Sequence, residues 1–315
     1  MQRHIVGIMR CVSLAVGLVA LAPLHAMESA DVTAQKKFAS PADAMRALVA
    51  AARKDDQAAL VVILGPGSED LVSSGDPVAD ARERKRVATV ATERTRLETL
   101  ESGAVVAHLG KDDWPFSIPL VKDGTQWRFD TAAGREELLN RRIGRNELQT
   151  LATCRAYVQA QREYASRDPA GAGVGVYAQK VRSAAGKRDG LSWEDSTDRQ
   201  PSPLGPLVAE ADAEGYGPHD SGGEPQPYHG FVYRILTAQG AHAPGGARSY
   251  LKDGKMAGGF ALVAYPAHYG VSGIMTFVVG PEGIVFQKNL GDQTDEIAKA
   301  ITGYDPDDSW TPVRD

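Results

Sequence analysis

The chain has 315 residues, 43% of them hydrophobic and 24% charged, and a formal net charge of −5. That mildly acidic balance, with Lys and Arg scattered along the chain, excludes the basic footprint that nucleic acid or anionic lipid requires. Two cysteines in a chain this long exclude a disulfide-stapled scaffold, so stability must come from burial.

Residues 1–26 have the three parts of a secretory signal. Arg3 and Arg10 are the only charges before Glu28, Cys11 to Leu24 is an apolar run, and Leu24-His25-Ala26 offers a small residue at the cut. The run is about 14 residues, short of the roughly 20 that a membrane-spanning helix needs. Cys11 lies inside the run and not at its end, so it does not read as a lipid-attachment cysteine. Cleavage would take the net charge from −5 to −7 and leave Cys154 as the only cysteine. The expectation is a periplasmic or secreted protein with no membrane span after cleavage.

Residues 27–37 are polar and aperiodic and read as a flexible leader. Ser40 as N-cap, Pro41 and Asp43 open a helix that carries Ala44, Leu48, Ala51 and Ala52 at helical spacing. A second helix is predicted over Gln57 to Leu64, stopped by Gly65-Pro66-Gly67, and a loop over Leu71 to Pro77. Residues 78–100 read as a charged surface helix. Ala104–Leu109 and Ser117–Lys122 read as strands. Asp123-Gly124 is a hairpin turn and Gln126–Asp130 a returning strand with Trp127 and Phe129 on one face.

Residues 133–167 form a long predicted helix, with Leu148, Leu151, Cys154, Val158 and Ala165 on one stripe. It ends at Asp168-Pro169 because a residue before proline leaves the helical region. Gly186 to Gly230 is rich in Pro, Gly, Asp and Ser and contains one short helix, Leu204 to Ala213. The last third reads as four antiparallel strands, Phe231–Thr237, Gly258–Tyr265, Ile274–Val279 and Ile284–Lys288. Lys252-Asp253-Gly254 and Pro281-Glu282-Gly283 serve as turns, Thr294 to Thr302 as a closing helix, and an Asp-rich tail follows with Trp310.

The predicted class is therefore α+β in two units: an N-terminal α+β domain over 38–132, then a long helix packed on a four-stranded antiparallel sheet over 133–315. The order helix, helix, helix, antiparallel strands over 38–132 resembles the cone of the nuclear-transport-factor-2-like superfamily. The long helix followed by the antiparallel sheet resembles the head of a type IV pilin. A pilin polymerises through a retained apolar helix. Here the apolar segment reads as a removable signal, so no pilin-type filament is expected.

More specific strings are Phe-Ala-Ser-Pro-Ala-Asp-Ala at 38–44, Leu-Val-Ser-Ser-Gly-Asp-Pro-Val-Ala-Asp at 71–80 and Asn-Arg-Arg-Ile-Gly-Arg-Asn-Glu-Leu at 140–148. Pro-Ser-Pro-Leu-Gly-Pro-Leu-Val at 201–208, Gly-Gly-Phe-Ala-Leu-Val-Ala-Tyr-Pro-Ala at 258–267 and Tyr-Gly-Val-Ser-Gly-Ile-Met-Thr-Phe at 269–277 complete the set. On these strings the chain resembles the bacterial exported family called domain of unknown function 2950. The resemblance implies no reaction. Family members tend to carry Asp-rich text after the long helix. Here the stretch holds only Asp168, too few carboxylates for a calcium site, so no metal is carried over.

No pair among His108, His219, His229, His242 and His268 has helical zinc-site spacing, and no Cys-x-x-Cys occurs. Gly270-Val271-Ser272-Gly273 lacks the nucleophile-elbow spacing and reads as a β-turn. Cys154 falls on an apolar stripe and reads as a buried structural thiol. Adjacent acids such as Asp112-Asp113 and Glu136-Glu137 give no glycosidase signal. No catalytic, cofactor-binding or metal-ligating residue is assigned.

Two aromatic clusters, Tyr228-His229 and Tyr265 with His268 and Tyr269, sit at opposite ends of strands expected to share a sheet, and are candidates for binding. Trp114, Trp127 and Asp130 are candidates for an N-terminal pocket. The expected role is a non-catalytic binding or assembly module of the cell envelope, its partner another envelope protein or a small ligand. The alternative is a hydrolase or other small-molecule-processing enzyme with its pocket in the N-terminal cone.

Overall fold

The computed structural model describes residues 34–194, 201–217 and 226–314. The predicted signal over 1–26 lies outside them. Four helices come first: α1 (Pro41–Arg53), α2 (Gln57–Leu64), α3 (Glu69–Val72) and α4 (Pro77–Glu93). Ser40 Oγ caps α1 by accepting the Asp43 N–H, and the helix buries Ala44, Met45, Leu48, Ala51 and Ala52 against α2, α4 and the following sheet. That sheet is antiparallel, ordered β1-β2-β4-β5: β1 (Thr95–Thr99), β2 (Val105–Leu109), β4 (Leu120–Asp123) and β5 (Gln126–Phe129). The two-residue β3 (Trp114–Pro115) pairs with β2.

The helix predicted over 78–100 stops at Glu93, and Thr95–Thr99 is a strand. Arg, Leu and Glu are good helix formers, which made the run look continuous. Pairing from Thr95↔Leu109 to Thr99↔Val105 outweighs that propensity. Chain order also begins earlier than Phe38, since Gln35 Nε2 donates to the Leu64 and Phe129 carbonyls at 2.8 Å. Phe38, Leu48, Leu60, Ile63, Leu109, Ile118, Leu120 and Phe129 anchor one apolar core.

Helix α5 (Thr131–Arg167) runs 37 residues, about 55 Å at 1.5 Å per residue. It reaches both cores: Leu138 packs on the first, while Cys154, Tyr157, Val158 and Tyr164 belong to the second. The predicted stripe needs correction at its start. Leu148 is 71% exposed, and the buried face there carries Asn146 and Thr150. Polar residues are tolerated on that face because each has a partner. Asn146 Nδ2 donates to the Ser272 carbonyl at 2.9 Å, and Thr150 Oγ1 to the Asn146 carbonyl at 2.8 Å. Lower down, Gln161 spans to Ala178, donating to its carbonyl and accepting its N–H.

After α6 (Gly205–Glu214) comes an antiparallel sheet ordered β14-β13-β12-β11-β6. Its strands are β6 (Phe231–Leu236), β11 (Ala261–Pro266), β12 (Met275–Val279), β13 (Val285–Asn289) and β14 (Thr311–Pro312). The predicted meander of four is present. The fifth strand comes from the tail, where Pro312 pairs with Phe286. Two short ribbons intervene: β7 (Ala238–Gln239) with β8 (Arg248–Ser249), and β9 (Leu251–Lys252) with β10 (Lys255–Met256). Consecutive β6 side chains show what covers the sheet. Tyr233 Oη donates to Thr150 of α5, and Arg234 Nη2 donates to the Ala298 carbonyl of α7 (Thr294–Ala300). The sheet lies between α5 and α7, so all six positions of β11 are buried. That is the pattern of a strand covered on both faces.

The chain is thus α+β, with antiparallel sheets and one long helix. Among the described residues no helix is long and apolar enough to cross a membrane.

Cys154 is fully buried on α5, and burial pushes its thiol up to about 12. Since the thiolate is the reacting species, maleimide labelling of the native protein should run about a thousandfold slower than in denaturant. Equal rates in the two states would contradict the buried placement.

Candidate functional site

The register of the second sheet places the site. β6 and β11 run antiparallel with Phe231 opposite Pro266, so the segment entering β6 and the segment leaving β11 meet at one end of the sheet. The Ala267 N–H donates to the Gly230 carbonyl at 2.9 Å and ties them together. The two aromatic clusters are therefore neighbours.

A third segment, residues 73–76, arrives from the N-terminal half. It and the end of α3 before it are held by side chains of α4 and α5. Arg142 donates to the Asp70 and Leu71 carbonyls at 2.7 and 2.6 Å, satisfying acceptors left open at the end of α3. Arg84 donates to the Val72 carbonyl at 2.8 Å. Asp80 accepts the Ser74 N–H and hydroxyl, each at 2.7 Å. Burial pushes the Asp80 carboxyl up and the Arg142 guanidinium down from their ordinary values, each shift opposed by their mutual attraction.

These supports present Gly75 and Asp76 to the sheet end. Gly75 has φ +90, and a Cβ there would lie 3.0 Å from the His268 ring, so only glycine lets the loop lie this close. Asp76 is fully buried and takes three donors. Oδ1 accepts the Ala79 N–H at 3.0 Å, which caps α4; Oδ2 accepts the Tyr216 hydroxyl and the Gly230 N–H, both at 2.8 Å. Asp76 thus joins the first helices, the end of α6 and the start of the second sheet at one carboxyl group.

Around it the rings of Tyr216, Tyr228 and His229 pack together, Tyr228 against His229 at 4.2 Å and Tyr216 against Tyr228 at 5.0 Å. The His229 backbone sits in the left-handed region at φ +50, and its N–H donates to the Tyr216 hydroxyl at 3.2 Å. Its Nε2 lies 3.1 Å from Glu214, which also pairs with Arg82 at 2.7 Å. Burial pulls the imidazole below its ordinary value, with Glu214 and Asp76 opposing. Burial also raises the Tyr228 phenol to about 12. Ring packing, the Tyr216 hydrogen bonds and the Glu214 contacts tie these groups to one another.

The same end of the sheet borders a cleft of about 710 Å³. The cleft is lined by the segment Tyr265 to Tyr269, by Gly75, Pro227 and Val271, and by the charged residues Asp292, Asp295 and Lys299. Such a volume fits the usual range for small-molecule sites. Of the residues singled out from sequence, Tyr265, His268 and Tyr269 line the cleft, whereas Tyr228 and His229 follow the lining residue Pro227 in the chain and pack with Tyr216.

Trp114, Trp127 and Asp130 are elsewhere, in the N-terminal half. Trp114 has the guanidiniums of Arg86, at 4.9 Å, and Arg141, at 6.0 Å, near its ring and packs edge-to-face with Phe116. Trp127 pairs with Phe38 and carries Lys122 at 5.6 Å. Asp130 precedes α5 with Arg128 at 3.8 Å.

Sequence reasoning missed Asp76, Tyr216, Asp292, Asp295 and Lys299. Asp76-Pro77 carried a readable N-cap signature, but nothing local ties that aspartate to Tyr216 or Gly230. Asp168, the lone acid after α5, is occupied by its own loop, accepting from Ala172 and Gly173 N–H. Among the described residues no group of three or more His, Cys, Asp or Glu side chains could hold a metal ion.

A family model described as a protein of unknown function (DUF2950) matches residues 35–313. No curated protein matches the chain, and no solved structure matches it. The match spans most of the chain, and the protein belongs to the DUF2950 family.

Proposed function

We propose that this DUF2950 protein is an exported, envelope-side binding protein whose ligand sits in the cleft between Gly75, Pro227, Tyr269 and α7. The observation that carries the reading is the construction of the cleft. Its walls come from segments far apart in sequence, held by the fully buried Asp76 and by Asp80, Arg84 and Arg142. A preformed concave surface with aromatic walls and a few charged groups is the usual form of a small-molecule site.

The serine of the Gly270–Gly273 turn and the cysteine of α5 are both committed elsewhere, which favours binding over nucleophilic catalysis by either. Ser272 is fully buried, its hydroxyl accepting the His268 N–H at 2.9 Å and donating to the His268 carbonyl at 3.1 Å. Cys154 lies inside the second core. Periplasmic or secreted location rests on the predicted signal over 1–26. The cone-like reading of 38–132 and the pilin-head-like reading of the long helix and sheet belong to the same proposal. They are supported by element order alone.

Val271 lines the cleft and is half-buried, so a large ring there would fill the space without touching Asp76. In native mass spectrometry of protein purified from its own envelope fraction, the wild type should carry a small-molecule adduct that Val271→Trp loses, with melting temperatures alike. An adduct retained by Val271→Trp, or none on the wild type, would contradict the proposal.

A further inference from the structure

Resting on that reading, we propose that the cleft selects ligands bearing an ammonium group, presented on a saccharide or on a peptide side chain. Three observations converge. First, the lining is aromatic where it is accessible: half-buried Tyr269 and exposed His268 border the space, while Tyr265 beneath them is buried, and ring faces attract cations. Second, the rim is acidic by one charge. Asp295 is paired with Lys299 at 2.8 Å, while Asp292 has no ion pair among the described residues. An arriving anion would have to compete with Asp295 for Lys299, whereas an arriving cation finds the Asp292 carboxylate open. Third, Asp292 and Tyr269 border the same 710 Å³ cleft, so one ligand can meet a ring and the carboxylate together. That volume is far larger than an ammonium group. The cation must therefore be one end of a larger molecule whose remainder lies along Pro227, Pro266 and Val271.

The test uses two matched pairs of probes that differ in charge. Glucosamine trimer is compared with its fully N-acetylated form, and the tripeptide Gly-Lys-Gly with its Nε-acetyl form. Binding to the purified protein is measured by calorimetry and located by the backbone amide signals of residues 267–271. Wild type, Asp292→Asn and Val271→Trp are compared. Asp292 is exposed, so Asp292→Asn should melt like the wild type.

The expected result is that at least one amine probe binds, moves the 267–271 signals, and binds at least tenfold more tightly than its acetylated partner. Asp292→Asn should remove most of that preference. Whichever of the saccharide and the peptide binds more tightly identifies the source of the amine. If the acetylated probes bind equally well and move the same signals, the ammonium proposal is overturned while the cleft stands as a binding site. Amine binding that leaves those signals still, or that survives Val271→Trp unchanged, overturns both. No binding by any probe overturns the ammonium proposal, and the adduct experiment then decides the cleft separately.

Discussion

Replacing Asp76 with alanine is expected to destabilise the protein by roughly 3–5 kcal/mol, the range for breaking a buried polar network. The carboxyl group is fully buried and accepts from Ala79 N, Tyr216 Oη and Gly230 N at once. Alanine leaves all three donors without a partner in a site that water does not reach. Each lost bond to a charged group is worth about 1.5–3 kcal/mol, and the three are not additive because they share one acceptor. For a chain of this size the loss corresponds to a fall in melting temperature of roughly 10 °C. Tyr216→Phe removes one of the three donors and should cost about 1–2 kcal/mol. Thermal denaturation of the two variants checks this. An Asp76→Ala protein that melts within 2 °C of wild type would show that the three segments are not joined there.

The second large effect concerns two glycines of α5, and the expected signs are opposite. Helix propensity alone says that either glycine replaced by alanine stabilises the protein by about 1 kcal/mol. Gly144 has open space where a Cβ would go, so Gly144→Ala should follow that rule. Gly134 has none. Its Cβ would lie 2.7 Å from Ile118 Cα and closer still to the Ser117 carbonyl oxygen. These are backbone atoms next to the buried Ile118 and Leu120, and they cannot turn aside. Gly134→Ala should therefore lose about 2–3 kcal/mol through overpacking. Urea midpoints of the two variants should move in opposite directions. A stabilised Gly134→Ala would mean that the start of α5 does not dock on the first sheet.

How much of this was legible in the sequence depends on the distance over which each interaction acts. α1 and α2 were readable because their signals are local: Ser40 before Pro41, Asp56 before Gln57, Gly65 after Leu64. The hairpin at Asp123-Gly124 was readable for the same reason, since its turn chemistry lies in two residues. β1 was not, because Thr95–Thr99 is a strand only by virtue of β2. The face of α5 was misjudged at Leu148 because Asn146 and Thr150 are buried by partners as remote as Ser272 and Tyr233.

The candidate site divides in the same way. Tyr265, His268 and Tyr269 were noticeable as a cluster within five residues. Asp76 gave only its capping signature, because Gly230 lies 154 positions away and Tyr216 lies 140 away. Trp114 and Trp127 stood out as rare, large residues, but such rings serve packing as readily as binding. Here the structure sets them against Arg86, Arg141 and Lys122.

The central claim is that the cleft at the end of the second sheet is the ligand site. A crystallographic fragment screen tests it most directly, because small probes settle where binding energy is concentrated. The account predicts that fragments gather between Pro227, Tyr269 and Asp292, with amine-bearing fragments against Asp292. A screen in which that cleft stays empty while fragments gather on the N-terminal half, around Trp114 or Trp127, would contradict it.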